Sequence, residues 1–220
     1  MEAIKKSTLD FLTQIKCNNN RDWFIGNRAA YLDAKENFES FVQELINHII
    51  EFEPIMKGLE VKSCVYRINR DIRFSNDKSP YKTHMGAFIV KGGKMNGDKF
   101  GGYYFHVEPG SSIIAGGAYN PPAPWLSAIR EKIDDEPDRF LKIINNKDFI
   151  RYFGQLSGES LKKAPKGYPS DHPHLDLLKL KSYLVVNEVN DELVLSDDYF
   201  DHTLKVMKAM KPLNDFLNEY

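Results

Sequence analysis

An α+β fold, with a mainly antiparallel central sheet of about five strands flanked by N-terminal and C-terminal helices, is what this 220-residue chain predicts. Three observations carry that reading. Helical periodicity occupies both ends of the chain, and short runs rich in β-branched and aromatic residues occupy its middle. The connections between those runs are short and bear Gly, Asn or Pro, which argues against a repeating βαβ series.

At the N-terminus Ser7 precedes Leu9, Leu12 and Ile15, with Asp10 three residues on, a capped-helix pattern that ends at Asn18-Asn19-Asn20. Over residues 21–52, Tyr31, Phe38, Phe41, Val42, Leu45, Ile46 and Ile49 recur at helical spacing. They predict a long amphipathic helix, broken near Gly26, that covers the sheet. Residues 63–69, 84–90, 101–108 and 112–119 read as four strands. Turn-like connections at 91–94 and 108–111 make the strands they join antiparallel.

Helices return over 124–135, 137–145 and 147–153, with Pro124 and Pro137 placed at helix starts. After a loop at 165–173 come a short helix over 175–180 and a further strand over 182–189. Ser196, followed by Asp197 and Asp198, opens a final helix that Pro212 should kink or divide.

Hydrophobic residues make up 42% and charged residues 28%, a globular composition consistent with one domain over residues 1–220. Thirty basic residues nearly balance thirty-one acidic ones, so no global field draws the molecule onto nucleic acid or an anionic membrane. Any anion binding must be local. No apolar run reaches the length of a signal peptide or a membrane span, so the expected location is cytoplasmic and no membrane partner is expected. Cys17 and Cys64 fit neither a disulfide framework nor a zinc spacing, and read as buried thiols of a reducing compartment.

The chemical signal concentrates in residues 67–84. Five cations, Arg67, Arg70, Arg73, Lys78 and Lys82, are interleaved with Asp71, Asp77 and the Tyr81 hydroxyl, and His84 closes the segment. Arg grips a carboxylate or phosphate with a planar fork and Lys adds a mobile charge, so the pattern suits an anionic ligand. Asp71 is placed to hold an Arg or act as a base, and His84 to move a proton beside a bound anion. The alternative is a solvated loop whose charges pair with one another.

Further along, strand alternation puts Tyr104 and His106 on one face. Gly116-Gly117 suits either close backbone approach to a ligand or a bulge. Arg130 stands within the helix that follows. The loop containing Lys166, Asp171 and His172 offers further polar groups, but without an HExxH pair or a Cys ligand. No metal site and no cofactor are expected. No dinucleotide fingerprint, P-loop or GxSxG serine context is present either.

Taken together, the runs Arg70-Asp71, Arg73-Phe74-Ser75, Asp77-Lys78-Ser79-Pro80-Tyr81-Lys82-Thr83-His84, Gly102-Tyr103-Tyr104-Phe105-His106-Val107-Glu108-Pro109, Gly116-Gly117, Pro165-Lys166-Gly167-Tyr168 and Asp171-His172-Pro173 stand in this order along the chain. With Asn19-Asn20-Arg21-Asp22-Trp23-Phe24 near the N-terminus, this series resembles the bacterial and fungal conserved hypothetical family catalogued as domain of unknown function 2461. The resemblance spans nearly the whole chain. It supports the positions of the motifs and implies no mechanism.

The function expected is binding of a phosphorylated or carboxylated small molecule in a locally basic pocket, with enzymatic action left open. The alternative is an interaction module that docks residues 67–84 onto an acidic protein or, less favoured by the net charge, nucleic acid. Residues 67–84, the Tyr104 and His106 strand face and the 166–172 loop are expected to meet around one cavity. Oligomeric state is not legible.

Overall fold

The computed structural model describes residues 3–219. Its centre is one antiparallel sheet of four strands, β1 (Met85–Ile89), β2 (Gly102–Val107), β3 (Ser112–Ala118) and β4 (Tyr183–Val189), in that spatial order. The α+β class holds, with four strands in place of five. Residues 63–69, expected as a strand, begin within the short helix α4 (Val61–Cys64) and continue as isolated bridges, Val65 to Ala87 and Asn69 to Tyr81. A ladder needs consecutive extended residues on both sides. Here Cys64 is held in a helical turn, and Thr83 and His84 form a bend. Only single bonds survive, such as Tyr66 N–H to Gly86 O and Lys82 N–H to Ile68 O.

Alternation along β2 divides its side chains between two faces. Phe105 turns toward α3 (Arg28–Phe52), stacking on Phe38 and Phe41 at 5.6 and 5.1 Å, while Tyr199 of α10 (Tyr199–Asn218) packs on Phe41 and Phe105. These two helices cover one face of the sheet. Cross-strand pairing assigns Gly86, Phe88, Tyr104, His106, Ile113 and Ala115 to the opposite face, which carries no long helix among the described residues. The buried apolar residues form a contiguous core running from Ile4 to Leu217.

The N-terminal helical pattern is divided where expected, into α1 (Lys6–Cys17), α2 (Arg21–Gly26) and α3, with the break at Asn27. Ser7 is not the cap of α1. It lies inside the first turn and hydrogen-bonds Asp33, while Asn37 of α3 accepts the Lys5 N–H and so anchors the helix start. Asn20 caps α2 by accepting the Trp23 N–H.

Helices α5 (Ala123–Asp135), α6 (Pro137–Ile144), α7 (Lys147–Phe153) and α8 (Leu175–Leu178) fill the excursion between β3 and β4. A turn of helix, α9 (Asp191–Val194), precedes α10, which starts after Asp198 rather than at Ser196 and runs undivided past Pro212. Cys64 is buried as expected, but Cys17 is exposed at the end of α1. No helix among the described residues is long and apolar enough to cross a membrane.

Candidate functional site

The cationic segment separates into two groups once its partners are followed. Arg70 is bound inside the loop, its guanidinium on the Asp77 carboxylate, on Ser79 O at 3.3 Å and on Ser75 Oγ. Asp77 in turn accepts the Ser79 N–H and hydroxyl, and these bonds with Arg70 hold its carboxyl far below the usual range. Asp71 grips Arg73 with both oxygens, at 2.9 and 2.6 Å, in an exposed pair. Lys78 Nζ donates to Ile72 O at 3.0 Å. Tyr81 is core: its ring stacks on Phe24 at 4.0 Å, and Asn19 brackets its backbone with two hydrogen bonds. These residues shape the loop.

Arg67 and Lys82 differ. Lys82 Nζ donates to Arg67 O at 2.8 Å and lies 5.2 Å above the Tyr66 ring; burial, then the neighbouring Arg67 charge, lower its pKa. The Arg67 guanidinium has no hydrogen bond or ion pair among the described residues. It lines a cleft of about 350 Å³ at the outer edge of β1, between α3 and the chain that follows α4. Lys35, Lys62 and Arg67 stand in that cleft against the single carboxylate Glu39, which pairs with Lys35, and His84 lies at its edge.

Next to it, on the face without a long helix, the β1–β2 pairing gathers a second set of groups. Gly86 stands opposite His106 and Met85 opposite Val107, and extending the register one residue beyond Met85 brings His84 across from Glu108. Because side chains repeat every second residue, Tyr104, His106 and Glu108 form one row. Tyr104 Oη lies 2.9 Å from His106 Nδ1, His106 Nε2 lies 3.1 Å from Glu108 Oε2, and Thr83 donates to Glu108 Oε1 at 2.6 Å. The His84 ring stacks on His106 with centroids 4.2 Å apart, and makes no hydrogen bond among the described residues. Gly86 leaves room for this row, since a Cβ there would meet Tyr104 Oη at 3.0 Å.

Burial, then His106, push the His84 pKa down to about 4, and burial lowers that of His106 against the pull of Glu108. Burial alone would raise the Glu108 carboxyl. The Thr83 and His106 hydrogen bonds outweigh it and hold that group below its ordinary value. Burial lifts the Tyr104 phenol to about 12. Both imidazoles are therefore neutral and the carboxylate ionised near pH 7. The donor atoms of His84, His106 and Glu108 all lie within 4.8 Å of one another, a spacing that could hold a metal ion.

The other candidate residues lie elsewhere. Arg130 of α5 donates to Leu180 O, and His172 Nε2 lies 2.7 Å from Asp134 Oδ1, beside exposed Lys166 and Asp171. This cluster sits with α5 and α8 near β4, whereas His84 and Arg67 lie at β1. The cleft that Arg67 and His84 line takes no residue from the 166–172 loop, and β1 and β4 are the two edges of the sheet. Gly116-Gly117 approaches protein rather than ligand, since Cβ atoms there would strike Gly102 O and Tyr183 O.

A further cleft, of about 330 Å³, lies between Glu53, Tyr103 and the end of α10. Its carboxylates are already engaged: Glu53 accepts from Tyr103, Glu53 and Asp215 both pair with Lys211, and Glu219 binds Lys132 and Arg139. Glu108 and Thr83, together with Lys35, Glu39 and Lys62 of the cleft, are the residues that sequence reasoning missed. The signal for Glu108 was present, as the third member of the alternation that contains Tyr104 and His106.

A family model described as a conserved hypothetical protein, DUF2461, matches residues 7–216. No curated protein and no solved structure matches the chain.

Proposed function

The chain belongs to the DUF2461 family of conserved hypothetical proteins, and we propose that it binds a small phosphorylated or carboxylated molecule in the cleft at the edge of β1. The observation that carries this reading is the charge imbalance of that cleft: three cations face one carboxylate, and the Arg67 fork is unoccupied. A guanidinium that spends its donors on no protein group is available for bidentate contact with an anion. Lys82 adds charge beside it, and Tyr66 and Ile68 supply apolar wall. A cleft of this size suits a metabolite rather than a polymer.

The test is a thermal-shift screen with inorganic phosphate, phosphorylated metabolites and dicarboxylates, followed by calorimetry on any hit. A ligand specific to the native state raises the melting temperature in proportion to its occupancy. We expect at least one such anion, with the shift reduced in Arg67→Ala. Absence of any shift, or an equal shift in Arg67→Ala, rejects the reading.

One observation favours a second reading, docking onto an acidic protein. Phe74 is 95% exposed at the tip of the cationic loop, with the Arg73 guanidinium 5.8 Å from its ring centre. An aromatic presented with a cation is a common anchor at protein interfaces. On this reading Phe74→Ala abolishes partner binding and leaves small-anion binding intact.

A further inference from the structure

We propose that His84, His106 and Glu108 form a binding site for one divalent transition-metal ion of the zinc type. The inference shares only His84, at the edge of the anion cleft, with that cleft and does not depend on anion binding.

Two imidazole nitrogens and a carboxylate oxygen are the donors that borderline ions such as zinc select, whereas magnesium and calcium take oxygen alone. The three donor atoms come from one patch of sheet and lie within 4.8 Å of each other. Tetrahedral zinc, with bonds of about 2.0–2.1 Å, places its donors about 3.4 Å apart. His106 Nε2 and Glu108 Oε2, at 3.1 Å, would open by a few tenths of an ångström. His84, at the bend before β1, would supply the larger adjustment.

Each of the two inner donors is already oriented by a partner. Tyr104 Oη holds the other nitrogen of His106, and Thr83 holds the other oxygen of Glu108. Such outer contacts set ring orientation and donor strength at metal sites. When the ion takes Nε2, the proton that Nε2 donated to Glu108 is replaced by one on Nδ1, donated to Tyr104 Oη, so the neutral ring loses no proton on balance.

A hydrogen-bonded relay is the competing explanation. In it the Tyr104 hydroxyl donates to Nδ1 and Nε2–H donates to Glu108, and all three groups are satisfied without an ion. That relay gives His84 nothing to do. Its imidazole makes no hydrogen bond among the described residues, yet it is stacked against His106 and its donor nitrogen joins the same cluster. A shared cation uses all three donors at once. Three protein ligands leave a fourth position for water, the pattern of reactive rather than purely structural zinc.

The experiment is calorimetric titration of chelator-treated protein with zinc chloride alone, in a non-coordinating buffer and without any anionic ligand. Titration with cobalt(II), followed by visible absorption, accompanies it. We expect one ion per chain and cobalt bands of a four- or five-coordinate site. His84→Gln and Glu108→Gln should each weaken binding at least tenfold, while His172→Gln, at the remote pair with Asp134, leaves it unchanged. Tyr104→Phe, which removes only the orienting contact, should weaken zinc about tenfold with the cobalt bands retained. Lack of binding by the wild type, or wild-type affinity in both His84→Gln and Glu108→Gln, overturns the proposal. Should a variant fail to fold, the cobalt spectrum of the wild type decides alone: bands of octahedral aqueous cobalt also overturn it.

Discussion

The imidazole of His84 lies face to face with that of His106, ring centres 4.2 Å apart and planes 26° from parallel. Neither ring could be protonated without charging a group against its neighbour, with Lys82 and Arg70 adding to the repulsion on His84. The Glu108 carboxylate offsets this in part. The two imidazoles are thus neutral in a partly desolvated patch that holds the Glu108 carboxylate and has its positive charge around it.

In the metal-free protein, His84 should titrate near pH 4, against an ordinary value of 6.5. Its pKa is depressed on folding, so it contributes stability fully present above about pH 6.5 and lost as pH falls through 4. The full shift corresponds to about 3 kcal/mol, and solvent screening at a partly exposed ring reduces the expected loss to roughly 1–2 kcal/mol. Histidine NMR titration gives the midpoint, and urea melts between pH 7 and 4 give the stability. His84→Gln should flatten the pH dependence in that window; an unchanged profile would contradict the assignment.

Gly116→Ala should destabilise the fold. A Cβ at this position would stand 2.3 Å from Gly102 O and 2.2 Å from Met210 Sδ, and the first of these is backbone that cannot swing aside. Overpacking of this kind costs about 1–3 kcal/mol, expressed as a lower urea midpoint. A ligand-contact role for the glycine would instead leave the midpoint unchanged.

Much of the fold was legible because hydrophobic periodicity reports burial directly. Phe38, Phe41 and Leu45 mark the face of α3 that meets the sheet, and the runs around 102–107 and 183–189 mark strands to within a residue or two. Residues 63–69 misled because Val65 and Ile68 are apolar for packing, while the bend at Thr83 and His84 interrupts the ladder. The site was legible only in part. Charge density located the loop, but composition cannot say that Arg70, Arg73 and Lys78 spend their donors inside it. Glu108 looked like the start of a turn, and its link to His84 depends on strand register, which single-strand patterns do not contain.

Glu219 should govern a separate step in acid stability. Its carboxylate binds Arg139 and Lys132, which pull its pKa down to about 2 from 4.5 and tie the end of α10 to α5 and α6. That contribution is present above about pH 4.5 and lost as pH falls through 2. Nearly half the side chain is exposed, so Glu219→Gln should cost only about 0.5–1 kcal/mol at pH 7. The difference from wild type should shrink toward pH 2, as measured by thermal melts; a constant difference would point to packing instead.

The partition of the loop cations yields the most direct check on the cleft. Arg70, Arg73 and Lys78 are committed to Asp77, Asp71 and Ile72 O, so a ligand would have to break an existing bond to use them. Arg67 has no such bond, and Lys82 is bound only to a backbone carbonyl while its charge is disfavoured by burial and by Arg67. An incoming anion relieves that repulsion, so both side chains gain on binding. Arg67→Ala and Lys82→Ala should therefore each weaken the bound anion about tenfold, roughly 1.4 kcal/mol. Removing both together should cost less than the sum, because the repulsion between them disappears with the first. Arg73→Ala and Lys78→Ala should leave the affinity unchanged. Calorimetry on the wild type and the five variants with the same anion separates the cases, and equal losses at Arg73 and Arg67 would move the binding surface from the cleft to the tip of the loop.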